Sequence, residues 1–205
     1  MSYFLEWAIT NKVELIATFF GLVYVFLSIR QSLHTWIAGF VTSFLYCQVF
    51  YDAKFYAGMC LQCYYLIISV YGWWIWNRVD NNSVRGNKLC ISNTNISLWV
   101  RLLILSFFLT LLIYYLLCQY TDSPVPFWDA FTSSLSIIAT WMLARKKIEH
   151  WLIWIFIDLI CFGLYLNRSL YPTAFLFLIY TVLALIGYNE WRREFEKIRD
   201  EGKFN

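Results

Sequence analysis

The chain has 205 residues, of which 60% are hydrophobic, 21% are aromatic and only 14% are charged, with a formal net charge of +3. A soluble domain carries about 25% charged residues, so this composition excludes a soluble globular fold and also a disordered, collagen-like or disulfide-rich chain. We therefore predict an integral membrane protein that forms one membrane domain over residues 1–205 and has the lipid bilayer as its surroundings. The basic residues are spread along the chain, so nucleic acid is not an expected partner.

Seven predominantly apolar runs follow one another along the chain, each close to the length of about 20 residues that a helix needs to cross a bilayer. They cover about residues 13–29, 33–51, 55–76, 97–119, 126–144, 151–167 and 171–189. The runs predict an all-α integral membrane protein with seven transmembrane helices. Residues 78–96, between the third and fourth runs, are rich in Asn and Ser and are expected to form a hydrated linker.

Basic residues lie mostly on one side of the predicted spans. Of the 16 Lys and Arg residues, only Lys12, Lys54 and Arg168 fall on the other side. The positive-inside rule therefore predicts a multi-pass protein with its N-terminus outside and its C-terminus in the cytoplasm. The basic run at 145–147 and a cytoplasmic tail over 192–205 are expected to anchor that face.

A shift of 115 residues aligns the first three spans with the last three without a gap. It pairs Arg30 with Arg145, Trp36 with Trp151, Tyr65 with Tyr180, Gly72 with Gly187 and Trp76 with Trp191. The segments are a first triple-helix repeat at 13–76, a linker and linker helix at 77–125, and a second repeat at 126–191. The single span between the two sets gives the second set the same orientation across the membrane as the first. We therefore predict parallel repeats in a 3+1+3 architecture. Such repeats recur in transporters, which favours transport over a purely structural bundle.

Asp158 lies in the middle of the sixth span, where a carboxylate is costly unless it faces a cavity or a partner. Trp151, Trp154 and Asp158 fall at i, i+3 and i+7 and therefore share one helical face. Gln62, Tyr65 and Ser69 have the same spacing on the third span and can form hydrogen bonds. The 115-residue shift pairs Tyr65 with Tyr180 in the second repeat. The candidate binding residues are Trp151, Trp154, Asp158, Gln62, Tyr65, Ser69 and Tyr180.

An acid among aromatic side chains suits a small, flat, cationic heteroaromatic ligand, which stacks on the rings and neutralises Asp158. The same residues also have simpler interpretations. Trp151 suits an interfacial aromatic belt, which is the expected role of Trp73, Trp74, Trp76 and Trp191. Gln62 suits a hydrogen bond between helices.

Other function classes fit the sequence less well. A retinal protein needs a lysine in its last span, and residues 171–189 have none. An intramembrane enzyme needs Asp158 and a histidine at one depth, whereas His34 and His150 lie at the edges of their spans, so no enzyme is expected. The cysteines lack a second Cys or His cluster, and we expect neither a metal nor a cofactor. A membrane sensor, which would bind the ligand without carrying it across the bilayer, stays an alternative.

Four segments form a recognisable set: YGWWIW at 71–76, IGYNEW at 186–191, the segment at 28–46 and the block at 141–174. Together these motifs resemble the PnuC family of bacterial vitamin transporters. The resemblance extends over about residues 13–193.

Membership of this family implies a SWEET-like 3+1+3 fold and a homotrimer in the bacterial cytoplasmic (inner) membrane. It also implies facilitated diffusion of nicotinamide riboside by alternating access, followed by phosphorylation in the cytoplasm that traps the vitamin. The matching W-x-x-W places ligand contact on Trp151 and Trp154. Relatives in the family carry thiamine or riboflavin instead, so these substrates stay open as alternatives.

Overall fold

The structure is a computed structural model that describes residues 12–52, 56–81 and 89–201. Each of the seven apolar runs is helical. The helices are α1 (Lys12–Ile29), α2 (His34–Asp52), α3 (Tyr56–Asn81), α4 (Ile96–Tyr120), α5 (Pro126–Ala144), α6 (His150–Asn167) and α7 (Tyr171–Glu201). The prediction of an all-α chain with seven helices is confirmed for the described residues.

The helices differ in how well they meet the requirements of a membrane span. Within the described ranges, three are both long and apolar enough to cross a bilayer: α4, α6, and α7 as far as Asp200. A shorter apolar helix covers Leu15–Ile29 of α1. Membrane crossing by α1, α2, α3 and α5 remains a prediction from the sequence pattern.

The chain divides into two compact units, Met1–Asn77 (the first unit) and Arg78–Asn205 (the second unit). In the first unit, α1 packs along α2. In the second unit, α4 packs on α5, α5 on α6 and α6 on α7. Short connections explain this order, because a few residues between two helices leave them antiparallel neighbours.

The helix bounds follow the 115-residue shift. Helix α1 ends at Ile29 and α2 begins at His34, positions that the shift carries to 144 and 149. Helix α5 ends at Ala144, and α6 begins at His150, one residue from the second position. The correspondence extends the sequence similarity to the connection between these helices.

The turn between α1 and α2 has the same backbone conformation as the turn between α5 and α6. Gln31 and Lys146, which are 115 residues apart, adopt positive φ angles of 52° and 50°. Both turns carry the same two backbone hydrogen bonds, with lengths between 2.9 and 3.1 Å. These bonds run from Gln31 to Ser28 and Ser32 to Leu27, and from Lys146 to Leu143 and Lys147 to Met142. Each helix end thereby has two of its carbonyls satisfied by the turn that follows it.

In each unit, one tryptophan lies against a glycine and meets a second tryptophan edge-on. These Trp-Gly-Trp clusters consist of Trp36, Gly72 and Trp76 in the first unit and of Trp151, Gly187 and Trp191 in the second. The two ring centroids are 5.3 Å apart in the first cluster and 5.9 Å apart in the second. A Cβ atom would come within 2.4 Å of the ring at Gly72 and within 2.6 Å at Gly187. Glycine is therefore needed for the helices to approach this closely.

The expectation that Trp76 and Trp191 belong to an interfacial belt is wrong. Their side chains are buried, with exposed fractions of 6% and 0%, because they pack inside the Trp-Gly-Trp clusters. Trp73 and Trp74 are 40% and 51% exposed, as a belt residue would be. The tryptophans near the end of α3 therefore divide between packing and the protein surface.

The segment at 78–96, predicted to be a hydrated linker, has regular structure at both ends, and its residues 82–88 lie outside the described part of the chain. At its start, α3 continues to Asn81. At its end, Ile91 is only 4% exposed and Ser92 forms an isolated β-bridge with Lys147. Asn95 then caps α4 by accepting a hydrogen bond from a backbone amide of the first turn, at 2.9 Å.

Helix α7 continues twelve residues beyond the predicted span, to Glu201. Residues 190–201 contain neither Gly nor Pro and are rich in Glu, Arg and Lys, which favour helix. The Arg192 Nε atom lies 3.0 Å from Glu196 Oε1, an i,i+4 pair that supports the extension. Much of the predicted tail is thus a polar continuation of the last helix.

We expect Gly187→Ala to lower the free energy of unfolding by about 1–3 kcal/mol, because the added methyl group must displace the Trp151 ring or the helix. The measurement is the thermal unfolding midpoint of the purified protein in detergent. Gly163→Ala is the matched control, because a Cβ atom there meets nothing within 4 Å, and its midpoint should not fall. Equal midpoints for the two variants would contradict the close approach of Trp151 to Gly187.

Candidate functional site

The three predicted binding residues of α6 lie on its inward face. Trp151 and Asp158 are buried and Trp154 is half-buried, whereas Leu152 and Phe156 on the opposite side are exposed. The i, i+3, i+7 spacing therefore predicts their common face correctly.

Trp151 serves helix packing at the start of α6. Its ring contacts Gly187 and Trp191 in the second Trp-Gly-Trp cluster, and the His150 ring lies 4.6 Å away between centroids. The His150 Nδ1 atom donates a hydrogen bond to the carbonyl of Lys147 at 2.6 Å. This surrounding packing holds Trp151 in place, and any ligand contact by its ring stays a prediction.

Trp154 packs against a buried apolar cluster of the second unit. The buried members of that cluster come from α4, α5 and α6: Leu102, Ile138, Ala139, Met142, Ile153 and Ile157. Because the indole is only half-buried, part of the ring is fixed by packing and the rest is accessible for contact with a ligand. A half-buried ring on a rigid helix is well suited to stacking, since little side-chain entropy is lost on binding.

Asp158 is 5% exposed and makes no hydrogen bond or ion pair with any described residue. Cys161 lies three residues further on in α6, and the next acidic residue of the second unit to compare is Asp129, in the first turn of α5. Asp129 differs from Asp158 because its Oδ2 atom accepts a hydrogen bond from Ser123. A buried carboxylate without a cationic partner is expensive in an apolar environment, so this position favours a positively charged ligand.

Tyr180 closes a row of three aromatic rings between α6 and α7. Tyr165 stacks on Phe177 at 5.3 Å, and Phe177 meets Tyr180 edge-on at 6.1 Å. Cys161 and Tyr165 lie on the same face of α6 but are not among the binding residues predicted from the sequence. Extending the alternating spacing of three and four residues beyond Asp158 would have found both.

The predicted residues of α3 belong to the first unit. Gln62 and Tyr65 are half-buried and Ser69 is buried. The Ser69 hydroxyl donates to the Tyr65 carbonyl at 2.7 Å, and it lies 3.2 Å from the position of a Cβ atom at Gly39. Its proton is therefore used within the helix, and the hydroxyl is left to accept a hydrogen bond rather than to donate one.

A groove of about 620 Å³ lies between α4, α5 and α6 of the second unit. Its lining includes Phe107, Phe131 and Phe156, with the hydroxyls of Ser106 and Thr110 among the few polar groups. None of the predicted binding residues lines it. The groove lacks the charge that the predicted ligand needs, so the candidate site remains the inward face of α6.

Comparison with known proteins places the chain among membrane transporters. A sequence profile described as nicotinamide mononucleotide transporter matches residues 11–193. The nicotinamide riboside transporter PnuC of Escherichia coli is 24% identical over 211 residues, which cover 92% of this chain and 86% of the relative. The riboflavin/roseoflavin transporter RibM of Streptomyces davaonensis is 24% identical over 182 residues, covering 87% and 83%.

The fold also matches a solved structure, the crystal structure of the vitamin B3 transporter PnuC. The TM-score is 0.75, with 96% of this chain and 87% of the other covered. At 18% identity, this match is a likeness of fold.

We expect Asp158→Asn to raise the free energy of unfolding of the ligand-free protein by about 1 kcal/mol or more, because a neutral amide costs less to bury than a carboxylate. The check is the thermal unfolding midpoint without added ligand. Asp122→Asn makes the same chemical change at an exposed position and should leave the midpoint unchanged. A lower midpoint for Asp158→Asn would mean that the carboxylate has a stabilising partner.

Proposed function

This chain belongs to the nicotinamide mononucleotide transporter family, and we propose that it carries nicotinamide riboside across the bacterial cytoplasmic membrane. It is a membrane transporter of the PnuC type. The choice of substrate rests on one observation, the buried Asp158 carboxylate with no ionic partner among the described residues. Nicotinamide riboside carries a pyridinium ring, which combines the flat shape and the positive charge that this carboxylate favours.

Similarity to relatives does not choose the substrate, because PnuC and RibM are both 24% identical to this chain. Charge does separate the candidates. Thiamine, with its cationic thiazolium ring, satisfies the same argument and is the second candidate. Riboflavin is neutral and would leave Asp158 without a counter-charge, so it ranks third.

The ligand contacts that we propose follow from the geometry of α6. Asp158 neutralises the cationic ring and Trp154 stacks on it, while Trp151 borders the site from the first turn of the helix. Tyr180 on α7 then supplies a hydrogen bond to the sugar or amide groups. Gln62, Tyr65 and Ser69 of α3, in the first unit, stay candidate binding residues on the sequence pattern, and Ser69 is left to act as an acceptor.

Parallel triple-helix repeats joined by a linker helix, the SWEET-like 3+1+3 arrangement, are part of the proposal. The supporting observations are the matching turns at Gln31 and Lys146, with the helix bounds that flank them, and the two Trp-Gly-Trp clusters. In a protein built this way, transport proceeds by alternating access of two similar halves. We propose facilitated diffusion without ion or ATP coupling, in a homotrimer, with trapping by phosphorylation in the cytoplasm. The bias of basic residues supports an outside N-terminus and a cytoplasmic C-terminus.

Purified protein in sealed vesicles should take up labelled nicotinamide riboside until the inside and outside concentrations are equal, without ATP or an ion gradient. Thiamine and riboflavin, tested in the same way, rank the alternatives. Vesicles without protein control for leakage. Binding without uptake would support a sensor, and uptake of riboflavin alone would overturn the argument from Asp158.

We expect Asp158→Asn to weaken binding of a cationic vitamin by about tenfold or more, the loss of one charge-assisted contact in a poorly hydrated site. Titration calorimetry on purified protein measures this affinity. Asp122→Asn, at an exposed position, should bind like the unmodified protein. Unchanged affinity in Asp158→Asn would remove Asp158 from the site.

A further inference from the structure

The residues just before α4 are tied to the turn just before α6. The Ser92 amide donates to the Lys146 carbonyl at 3.0 Å, and the Ile148 amide donates to the Ser92 carbonyl at 3.2 Å. These two bonds make the parallel β-bridge between Ser92 and Lys147. We call residues 91–95 together with residues 145–149 the linker clasp.

Charged side chains add four hydrogen bonds to the linker clasp. The Lys147 Nζ atom donates to Ser92 Oγ at 3.0 Å and to the Asn93 carbonyl at 3.1 Å. The Thr94 amide and hydroxyl donate to the two carboxylate oxygens of Glu149, each at 2.8 Å. Hydrogen bonds with one charged partner are stronger than neutral ones, and the carboxylate here is held by both of its oxygens.

The linker clasp also contains two buried apolar side chains. Ile91 from the linker side and Ile148 from the turn are each 4% exposed. The hydrogen bonds of Glu149 are part-buried, whereas the bond from Lys147 Nζ to the Asn93 carbonyl lies at the surface. Partial burial strengthens the Glu149 bonds relative to bonds in water.

The corresponding turn of the first unit has the same backbone bonds but different side chains. The 115-residue shift carries Ser32 to Lys147 and His34 to Glu149. Ser32 and His34 bond to each other, with Ser32 Oγ 3.1 Å from His34 Nδ1, so this turn is closed on itself. The second turn instead places a cation and an anion where they reach the linker.

The linker clasp joins the starts of two helices. Asn95, the next residue after Thr94, caps α4, and Glu149 directly precedes α6. Helix α4 also packs along α5. The linker helix α4 is therefore attached to the rest of the second unit in two ways. It packs along α5, and the residues just before it are hydrogen-bonded to the turn before α6.

We propose that the linker clasp keeps α4 joined to α5, α6 and α7 throughout the transport cycle, so that α4 to α7 move as one body. This inference rests on the proposed transport function, because it identifies one of the two moving bodies. Glu149 and Lys147 act as positioning residues, since they hold the helix that bears Asp158 and contact no ligand. The clasp does not open and close as a gate.

The first test closes the linker clasp covalently. Ser92→Cys with Lys147→Cys, in a Cys90→Ser background that removes a nearby exposed thiol, should form a disulfide across the bridge pair. Uptake by the oxidised protein should stay within about twofold of uptake by the reduced protein, because a clasp that never opens is not impeded by a bond. Uptake that stops on oxidation and returns on reduction would overturn the proposal.

The second test weakens the linker clasp. Glu149→Gln should make amide hydrogen exchange at Thr94 and Ile148 faster by about tenfold, because the charged acceptor is lost. It should also lower the maximal uptake rate while leaving the equilibrium affinity for the vitamin unchanged. Glu196→Gln is the matched control, since it makes the same change in the exposed pair with Arg192. Unchanged exchange or a weakened equilibrium affinity in Glu149→Gln would contradict the positioning role.

These readouts separate the inference from the proposed function. Disulfide formation and amide exchange require no substrate, so failed uptake by the unmodified protein contradicts the substrate assignment alone. Uptake by the unmodified protein together with a block on oxidation contradicts the linker clasp alone.

Discussion

The interior of a bilayer offers no water to hydrogen-bonding groups, so each polar group of the chain must be satisfied by the protein itself. A helix satisfies this requirement for the backbone, because its amides and carbonyls bond to each other within the helix. Hydroxyl side chains follow the same rule: those of Ser28, Thr42, Ser69, Thr140 and Thr181 each donate to the carbonyl four residues earlier in the helix. Polar residues that depart from this rule stand out, and Asp158, which is 5% exposed, is one of them.

The first three helices and the last three share backbone features but differ in side chains at key aligned positions. Their turns share backbone bonds, and each triplet has a tryptophan seated on a glycine. At other aligned positions, the second copy has bulk or charge where the first has a small or neutral residue. Gly39 aligns with Trp154, Ser43 with Asp158, and Ser32 with Lys147. These exchanges place the proposed ligand-binding residues of α6 and the linker clasp in the second copy.

Relatives with equal identity to this chain are transporters of different vitamins. Overall similarity therefore identifies the family and the fold but carries little information about the ligand. A single buried charge is more informative, because an uncompensated carboxylate in an apolar site discriminates strongly between a cation and a neutral molecule. The aromatic residues alone would accept either, since any flat ring can stack on them.

The amino-acid sequence by itself determined the helices, their order and the inward face of α6, because composition, length and spacing are local properties. It also located Asp158, since a charge within an apolar run is visible without a structure. Only the tertiary structure decided which tryptophans are buried: Trp191 resembles a belt residue in the sequence, yet it packs against Trp151 forty positions earlier. The β-bridge between Ser92 and Lys147 could not be predicted from the sequence either, because its two residues are 55 positions apart. Burial and hydrogen bonding depend on partners that are distant in the chain, and a polar, Asn-rich segment carries no local signal of the surface that will receive it.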